Sequence, residues 1–105
     1  MTLWHAYTER HTLTDAGRKS DGRDARLERN PDEVITDPEQ VAAWVSAQRA
    51  LLGKSADDDG RRWNGLTSDQ ASINRSLARK GKSVYASVRL TTTEVMDICV
   101  EAVPA

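Results

Sequence analysis

The residue types most capable of chemistry in this chain are hydroxyl and guanidinium groups spaced along one predicted helix. They fall within one sector of a helix that has about 3.6 residues per turn. Arginine offers positive charge and a fork of hydrogen-bond donors, and serine offers short hydrogen bonds, so the set suits phosphate groups. The residues of this predicted phosphate-binding face are Ser68, Ser72, Arg75, Ser76 and Arg79.

This helix face belongs to a strongly basic stretch, residues 60–90. Seven basic residues stand there against Asp69 alone, which gives +6, whereas residues 31–59 hold seven acidic and two basic residues, which gives −5. The whole chain carries only −1, so its charge is segregated along the sequence. Such segregation favours a charged partner surface. The predicted nucleic-acid-binding residues are Arg61, Arg62, Ser72, Arg75, Ser76, Arg79, Lys80, Lys82 and Arg89.

Two aromatic residues, Trp63 and Tyr85, lie within the same basic stretch. They would stack on the bases of a single-stranded nucleic acid or anchor a partner protein. The basic stretch favours a small non-enzymatic regulator that binds DNA or RNA, and the alternative is a protein-binding module such as an inhibitor, immunity or accessory protein. Arg75 and Arg79 discriminate between them, because carboxylates of the chain itself paired with these residues would favour the protein partner.

Patterns that would indicate an enzyme or a metalloprotein are weak. His5, Glu9 and His11 are of the types that form acid–base pairs or metal sites, but near a terminus they are better explained as surface residues. Residues 57–59 are consecutive aspartates without the alternating ligand spacing of a calcium loop. Residues 80–83 contain Gly-Lys-Ser without the earlier glycine of a phosphate-binding loop. We expect no catalytic residue, no metal and no cofactor.

Composition limits the chain to one domain with a modest core. It has 105 residues, 30% of them charged and none of them Phe, so Val, Leu, Ile, Ala and a few of the Trp and Tyr residues must form that core. Cys99 is the single cysteine and stands between apolar neighbours, which excludes an internal disulfide and indicates a buried thiol. The first ten residues lack a basic leader with an apolar run, and no stretch approaches the roughly 20 apolar residues of a membrane span. We expect a cytoplasmic protein without a membrane partner.

The most secure predicted element is a helix over residues 37–53. Asp37 suits the N-cap, Pro38 the first helical position and Gln40 the capping box, while Gly53 suits the end. Apolar residues recur at helical spacing around Trp44. A second helix is predicted over residues 67–80, ended by Gly81.

Three further segments are assigned by periodicity. Residues 83–90 alternate apolar and polar and predict a strand, and residues 2–8 predict a short terminal strand. Residues 11–30 are polar, contain two glycines and predict a solvated loop, within which residues 24–29 could form one or two helical turns.

The C-terminal segment allows two interpretations. Thr91 and Glu94 fit a capping box that opens a helix over residues 92–103, which we favour. The same residues also alternate in polarity, so a hairpin would pair Val88 with Ile98 and Arg89 with Asp97.

Together these elements predict a small single α+β domain. It would have about three helices and a short antiparallel sheet or hairpin, and dimerisation is one way to complete it, because a lone strand needs a partner. We divide the chain into residues 1–30, an N-terminal strand with a loosely ordered polar segment, and residues 31–105, a compact α+β core. A homodimer is expected.

Overall fold

A computed structural model describes residues 1–14, 17–18, 22–64 and 70–104. Within these ranges the chain is a small α+β domain, which confirms the predicted fold class. Its described elements are β1 (Thr2–Thr14), β2 (Gly17–Arg18), α1 (Arg23–Leu27), β3 (Glu33–Ile35), α2 (Pro38–Gly53), α3 (Asp58–Asn64), α4 (Gln70–Arg79), β4 (Val84–Arg89) and β5 (Glu94–Pro104).

The sheet is antiparallel throughout and is organised around β1 and β5. These two strands pair over eleven positions, from Thr2 with Pro104 to Thr12 with Glu94. β4 pairs with the other side of β5, and both β2 and β3 pair with the other side of β1. Among the described strands, β4 is therefore an edge of the sheet.

One face of the sheet packs against α2 and α4 and forms the hydrophobic core. Successive strand residues point to opposite faces, so Trp4 and Ala6 of β1 share this face with Ile98 and Val100 of β5. The indole N–H of Trp4 donates a hydrogen bond to the carbonyl of Lys82 at 3.1 Å, which satisfies its one polar group. The buried core comprises Trp4, Ala6, Ile35, Val41, Val45, Ala78, Val84, Val88, Leu90, Ile98 and Val100.

Helix α2 forms where its sequence predicts. The Asp37 carboxylate accepts a hydrogen bond from the backbone N–H of Glu39 at 3.0 Å, and Pro38 occupies the first turn. Val41 and Val45 are buried, whereas Trp44 is only partly buried against the core. Of the second predicted helix, the structure describes α4 over Gln70–Arg79. Its predicted cap, including Ser68, lies outside the described residues.

The favoured helix over residues 92–103 is wrong, because this segment is strand β5. Thr91 Oγ1 does accept the backbone N–H of Glu94 at 3.0 Å, as the capping box requires, but the contact closes the turn between β4 and β5. A strand is favoured over a helix here because both faces of the strand are covered by other parts of the chain. Val95 and Ile98 are buried on opposite faces. The hairpin alternative is correct in type, yet its register differs by two residues: Val88 pairs with Met96 and Arg89 with Val95.

The N-terminal strand is longer than expected. β1 continues from the predicted residues 2–8 to Thr14, so the loop predicted from residue 11 is wrong there, whereas α1 over Arg23–Leu27 corresponds to the turn or two of helix allowed at residues 24–29. The lone predicted strand finds its partner within the chain, in β5. The homodimer stays a prediction. No helix in the described ranges is long and apolar enough to cross a membrane.

Helix α3 lies in a segment that its sequence indicated as a connection. The Asp57 carboxylate accepts the backbone N–H of Gly60 at 2.8 Å and so caps the start of α3. Gly60 is buried against the carbonyls of Arg89 and Leu90 at the end of β4. This close approach fixes α3 at the sheet edge.

Candidate binding surfaces

The exposed side of α4 gathers five of the residues that the sequence indicated. Its hydroxyl and cationic side chains line a surface pocket of about 320 Å³. The helical spacing predicted this convergence, because residues three and four apart share a helix face. We name this group the α4 surface, and it comprises Ser72, Arg75, Ser76, Arg79 and Lys80.

A carboxylate of the chain itself lies on the α4 surface. Glu39 of α2 accepts hydrogen bonds from Arg79 at 2.6 and 3.2 Å and lies 3.9 Å from Arg75. The hydrogen bond from Arg79 lowers the pKa of Glu39 and raises that of Arg79. All three side chains are about half exposed, so the pairs contribute little stability. They do lower the positive charge that this surface offers to a ligand.

The rest of the basic stretch does not join the α4 surface. Arg61 and Arg62 of α3 lie 4.0 and 3.6 Å from Asp58 and Asp59, one helical turn earlier. Lys82 lies in the exposed turn before β4, outside the residues that line the pocket. The basic residues, contiguous in sequence, are therefore distributed over separate parts of the fold.

Arg89 and the two aromatic residues form a second surface at the sheet edge. The Arg89 guanidinium lies 4.8 Å from the centre of the Trp63 ring, and its Nη1 donates to the carbonyl of Thr92 at 2.9 Å. Trp63 is 54% exposed and Tyr85, four residues before Arg89 on β4, is 49% exposed. We name Trp63, Tyr85 and Arg89 the β4 patch. It lies across β4 from the core, since Arg89 follows the core residue Val88.

Asn64 ties α3 to this edge. Its side-chain amide donates to the carbonyl of Arg89 at 2.9 Å, and its oxygen accepts the backbone N–H of Arg89 at 2.8 Å. Both backbone groups of Arg89 therefore point away from β5. Backbone direction alternates along a strand, so Tyr85 and Ser87 also turn their backbone N–H and C=O outward.

The sheet face opposite the core, which we call the polar face, carries a buried network of charges. Glu101 is fully buried and accepts hydrogen bonds from Arg26 at 2.9 and 3.0 Å, from Arg23 at 2.7 Å and from Tyr85 at 2.6 Å. Burial alone would raise the pKa of Glu101, but these hydrogen bonds lower it below its ordinary value. The carboxylate is thus held ionised by its donors.

A second carboxylate, Glu9 of β1, extends the network. It is 6% exposed, binds Arg29 and lies 3.5 Å from Nη1 of Arg26. His11 Nε2 lies 3.0 Å from Glu9 and 3.4 Å from Asp97, so this imidazole sits between two acidic groups. We name Glu9, Arg23, Arg26, Arg29 and Glu101 the ion network. Its three arginines all come from α1 or the residues just after it.

Two tyrosines and the single cysteine form one row beneath these charges. Tyr7, Cys99 and Tyr85 are aligned on β1, β5 and β4. The Arg26 guanidinium lies 5.9 Å from the centre of the Tyr85 ring, and that of Arg29 lies 5.5 Å from the Tyr7 ring. Burial raises the pKa of Cys99 to about 12, which makes the thiol a poor nucleophile.

Sequence reasoning missed the ion network, although its signals are present. Once residues 94–104 form a strand, Asp97 and Glu101 share one face with Cys99, and buried carboxylates require basic partners. Arg23, Arg26 and Arg29, at spacings of three residues, supply them for Glu101 and Glu9, and His11 lies beside Asp97. Glu9 and His11, noted as a possible acid–base pair, do lie together here, but no group among the described residues is arranged to hold a metal ion.

Comparisons with protein-family models, with curated proteins and with solved structures gave no match to this chain.

Proposed function

We propose that this chain is a protein-binding module that contacts its partner through the β4 patch. The observation that carries the proposal is the exposed Trp63 ring, held in place by the guanidinium of Arg89. Aromatic residues are enriched at protein interfaces, and Trp, Tyr and Arg are the residues that dominate binding energy there. The β4 patch consists of these three types.

The edge position of β4 adds a mode of binding. Tyr85 and Ser87 direct backbone hydrogen-bonding groups away from β5, while Asn64 occupies those of Arg89. An extended segment of a partner would pair with the two outward residues and place side chains against the β4 patch. Strand addition of this kind takes its affinity from the backbone and its specificity from alternate side chains.

The charge arrangement supports a protein partner over a polyanion. Glu39 binds Arg79 and lies near Arg75, which is the internal pairing that favours the second of the two hypotheses from sequence. The function proposed here needs no free cationic surface on α4. The proposed role is non-enzymatic and makes no use of the buried Cys99 thiol or of the ionised Glu101 as a reacting group.

Photo-cross-linking tests this role. A photoreactive phenylalanine derivative at Ser87 places the probe on the edge strand and keeps all three residues of the β4 patch. We expect a discrete protein adduct in cells that make the protein, insensitive to nuclease and lost when Trp63→Ala or Arg89→Glu is added. The matched control is the same probe at Leu51, which is 58% exposed on α2. Equal adducts from both positions, or an adduct that nuclease removes, would contradict the proposal.

Nucleic-acid binding is the second candidate, and the α4 surface is the observation that favours it. Arg75, Arg79 and Lys80 place three cations around one pocket, and among the described residues the carboxylate of Glu39 lies against them. The neighbouring serine hydroxyls suit phosphate oxygens. Nucleic-acid binding at the α4 surface would use only some of the basic residues predicted from sequence, because Arg89 lies on the opposite face of the sheet from α4.

Salt dependence tests the second candidate. A protein that binds phosphates through three cations should lose affinity for a labelled oligonucleotide with a log–log slope of roughly −2 to −3 in salt. Arg75→Glu with Arg79→Glu should abolish binding, while the control pair Arg61→Glu with Arg62→Glu should leave it unchanged. Equal losses from both pairs would show that only overall charge matters.

A further inference from the structure

The polar face of the sheet holds guanidinium groups in a way that proteins use for recognising arginine. Arg26 lies between the carboxylates of two neighbouring strands: its Nε and Nη2 bind Glu101, and its Nη1 lies 3.5 Å from Glu9. A site that meets the edge of a planar fork with one carboxylate and its far nitrogen with another favours guanidinium, because an ammonium group is a compact point charge without donors fixed in one plane. The site is more than nine-tenths buried at both carboxylates.

Each carboxylate is combined with a tyrosine ring. Glu101 and Tyr85 hold Arg26, and Glu9 and Tyr7 hold Arg29, with ring distances of 5.9 and 5.5 Å. Ring faces attract cations, and this attraction strengthens where water is excluded. The sheet therefore presents two adjacent carboxylate–tyrosine units, each occupied by a guanidinium from the same short segment.

The segment that fills these units has little intrinsic stability. α1 spans only five residues, and a helix of that length does not form by itself in water. Its arginines bind the sheet through Glu101 and Glu9, and Tyr7 donates to the carbonyl of Arg29 at 3.5 Å. Bonds that are mainly ionic can be exchanged for equivalent bonds to another guanidinium at small net cost.

We propose that the polar face is a recognition site for an arginine-bearing segment of a partner protein, which the chain's own α1 occupies in the absence of that partner. The site already holds two arginines three residues apart, Arg26 and Arg29, and a partner segment with the same spacing would meet the same groups. Tyr85 belongs to both this site and the β4 patch, so a partner on the edge strand reaches the polar face directly. The inference thus rests on the proposed protein-binding role and names the partner's chemistry.

Peptide titration of the full chain tests the inference. The probe is a synthetic peptide with the sequence of residues 22–30, and its control has the three arginines replaced by lysine. We expect Arg26→Ala to bind the arginine peptide at least about tenfold more tightly than the unaltered chain does. In the unaltered chain, the site accepts the peptide only in the fraction of molecules in which α1 is displaced. Binding should raise the melting temperature of this variant, and the lysine peptide should have no such effect.

Arg29→Ala gives a second test that does not depend on the stability of the first variant. The Arg29 side chain is 47% exposed, and its loss keeps the Arg26 bridge while opening the unit formed by Glu9 and Tyr7. Added N-acetylarginine amide should shift the backbone NMR signals of Glu9 and Tyr7 saturably, and N-acetyllysine amide should not.

The matched control is Arg79→Ala, which also removes an arginine bound to a glutamate, but on the exposed α4 surface. It should gain no affinity for either probe. Binding equally strong for lysine probes, equal binding by Arg79→Ala, or no saturable binding in either polar-face variant would overturn the inference. Because the probes are synthetic, a failed cross-link at Ser87 would reject the β4 patch without affecting this titration.

Discussion

Glu101 is the residue through which the polar face is held together. A fully buried carboxylate is costly in a protein interior unless hydrogen bonds replace its hydration. Here Arg23, Arg26 and Tyr85 supply those bonds, at distances from 2.6 to 3.0 Å. The same bonds place the Tyr85 ring, and its pKa is raised by burial and by the hydrogen bond to Glu101. One side chain thus links α1, β4 and β5.

Acid unfolding should report the ionisation of Glu101. Its folded-state pKa lies below the ordinary 4.5, so its contribution to the free energy of unfolding is complete above that pH. The contribution is lost as the pH falls through the folded-state value. Glu101→Gln should lower the free energy of unfolding by on the order of 3 kcal/mol at pH 7, because the buried arginines lose a charged partner.

Urea unfolding at a series of pH values measures both effects. As the pH falls below 5 and through the folded-state pKa of Glu101, the unaltered chain should lose stability more steeply than Glu101→Gln, which has no carboxylate to protonate at this position. The control is Glu94→Gln, whose partner Arg10 is exposed, and it should change stability by less than about 1 kcal/mol. Parallel acid profiles for the unaltered chain and Glu101→Gln would contradict the role assigned to Glu101.

At the scale of elements, helix α2 could be predicted from sequence because its signals are local. Asp37 and Pro38 define its start within three residues, and the structure bears this out. β5 could not be predicted in the same way, since Thr91 makes the same hydrogen bond to Glu94 whether a helix or a hairpin turn follows. The strand forms because its backbone pairs with β1 on one side and β4 on the other. The pairing with β1 joins segments that are distant in sequence, so local patterns could not predict it.

The contact between α3 and β4 depends on a missing side chain at Gly60. A Cβ atom there would lie 2.5 Å from the carbonyl oxygen of Leu90, and this is backbone that cannot move aside cheaply. Gly60→Ala should therefore lower the free energy of unfolding by about 1–3 kcal/mol. It should also weaken the hydrogen bonds between Asn64 and Arg89 that position the β4 patch.

Equilibrium unfolding in urea checks this prediction, with Gly53→Ala as its matched control. A Cβ at Gly53 meets nothing within 4 Å, and alanine favours the helical conformation there by up to about 1 kcal/mol. The two substitutions should thus change stability in opposite directions. A Gly60→Ala variant as stable as the unaltered chain would mean that α3 is not tightly seated on β4.

Displacement of α1 should be visible through Cys99. The thiol is 6% exposed and its pKa is raised to about 12, so labelling by a thiol reagent at pH 7 should be far slower in the folded chain than in urea. Arg29→Ala removes one of the bonds that hold α1 and should accelerate labelling, because the segment lifts more often. Arg79→Ala should leave the rate unchanged. Equal rates for both variants would show that labelling requires opening of another element.

At the scale of the whole molecule, linear charge predicted only part of the candidate site. The α4 surface follows from helical spacing, so Arg75, Ser76 and Arg79 converge as expected. Arg89 does not join them, because strand alternation turns it to the face opposite α4. The ion network escaped prediction for a related reason: Arg26 and Glu101 are 75 residues apart in sequence, and only the pairing of β1 with β5 brings their surroundings together.

The acidic and basic segments of the sequence meet in the fold at Glu39, which contacts Arg75 and Arg79. A substitution at Glu39 therefore tests which of the two candidate functions is correct. Glu39 is the carboxylate that reduces the α4 surface from three positive charges to two. Glu39→Gln should strengthen oligonucleotide binding several-fold and make the salt slope steeper by up to about one, if that surface binds phosphates. The substitution should change the free energy of unfolding by less than about 1 kcal/mol, because both partners are exposed.

Fluorescence anisotropy over a salt series measures the affinity. The control for net charge is Glu33→Gln, which removes an acidic residue of β3. Equal gains from both substitutions would indicate non-specific attraction, and no binding by Glu39→Gln would exclude a polyanion on α4 and leave the β4 patch as the functional surface.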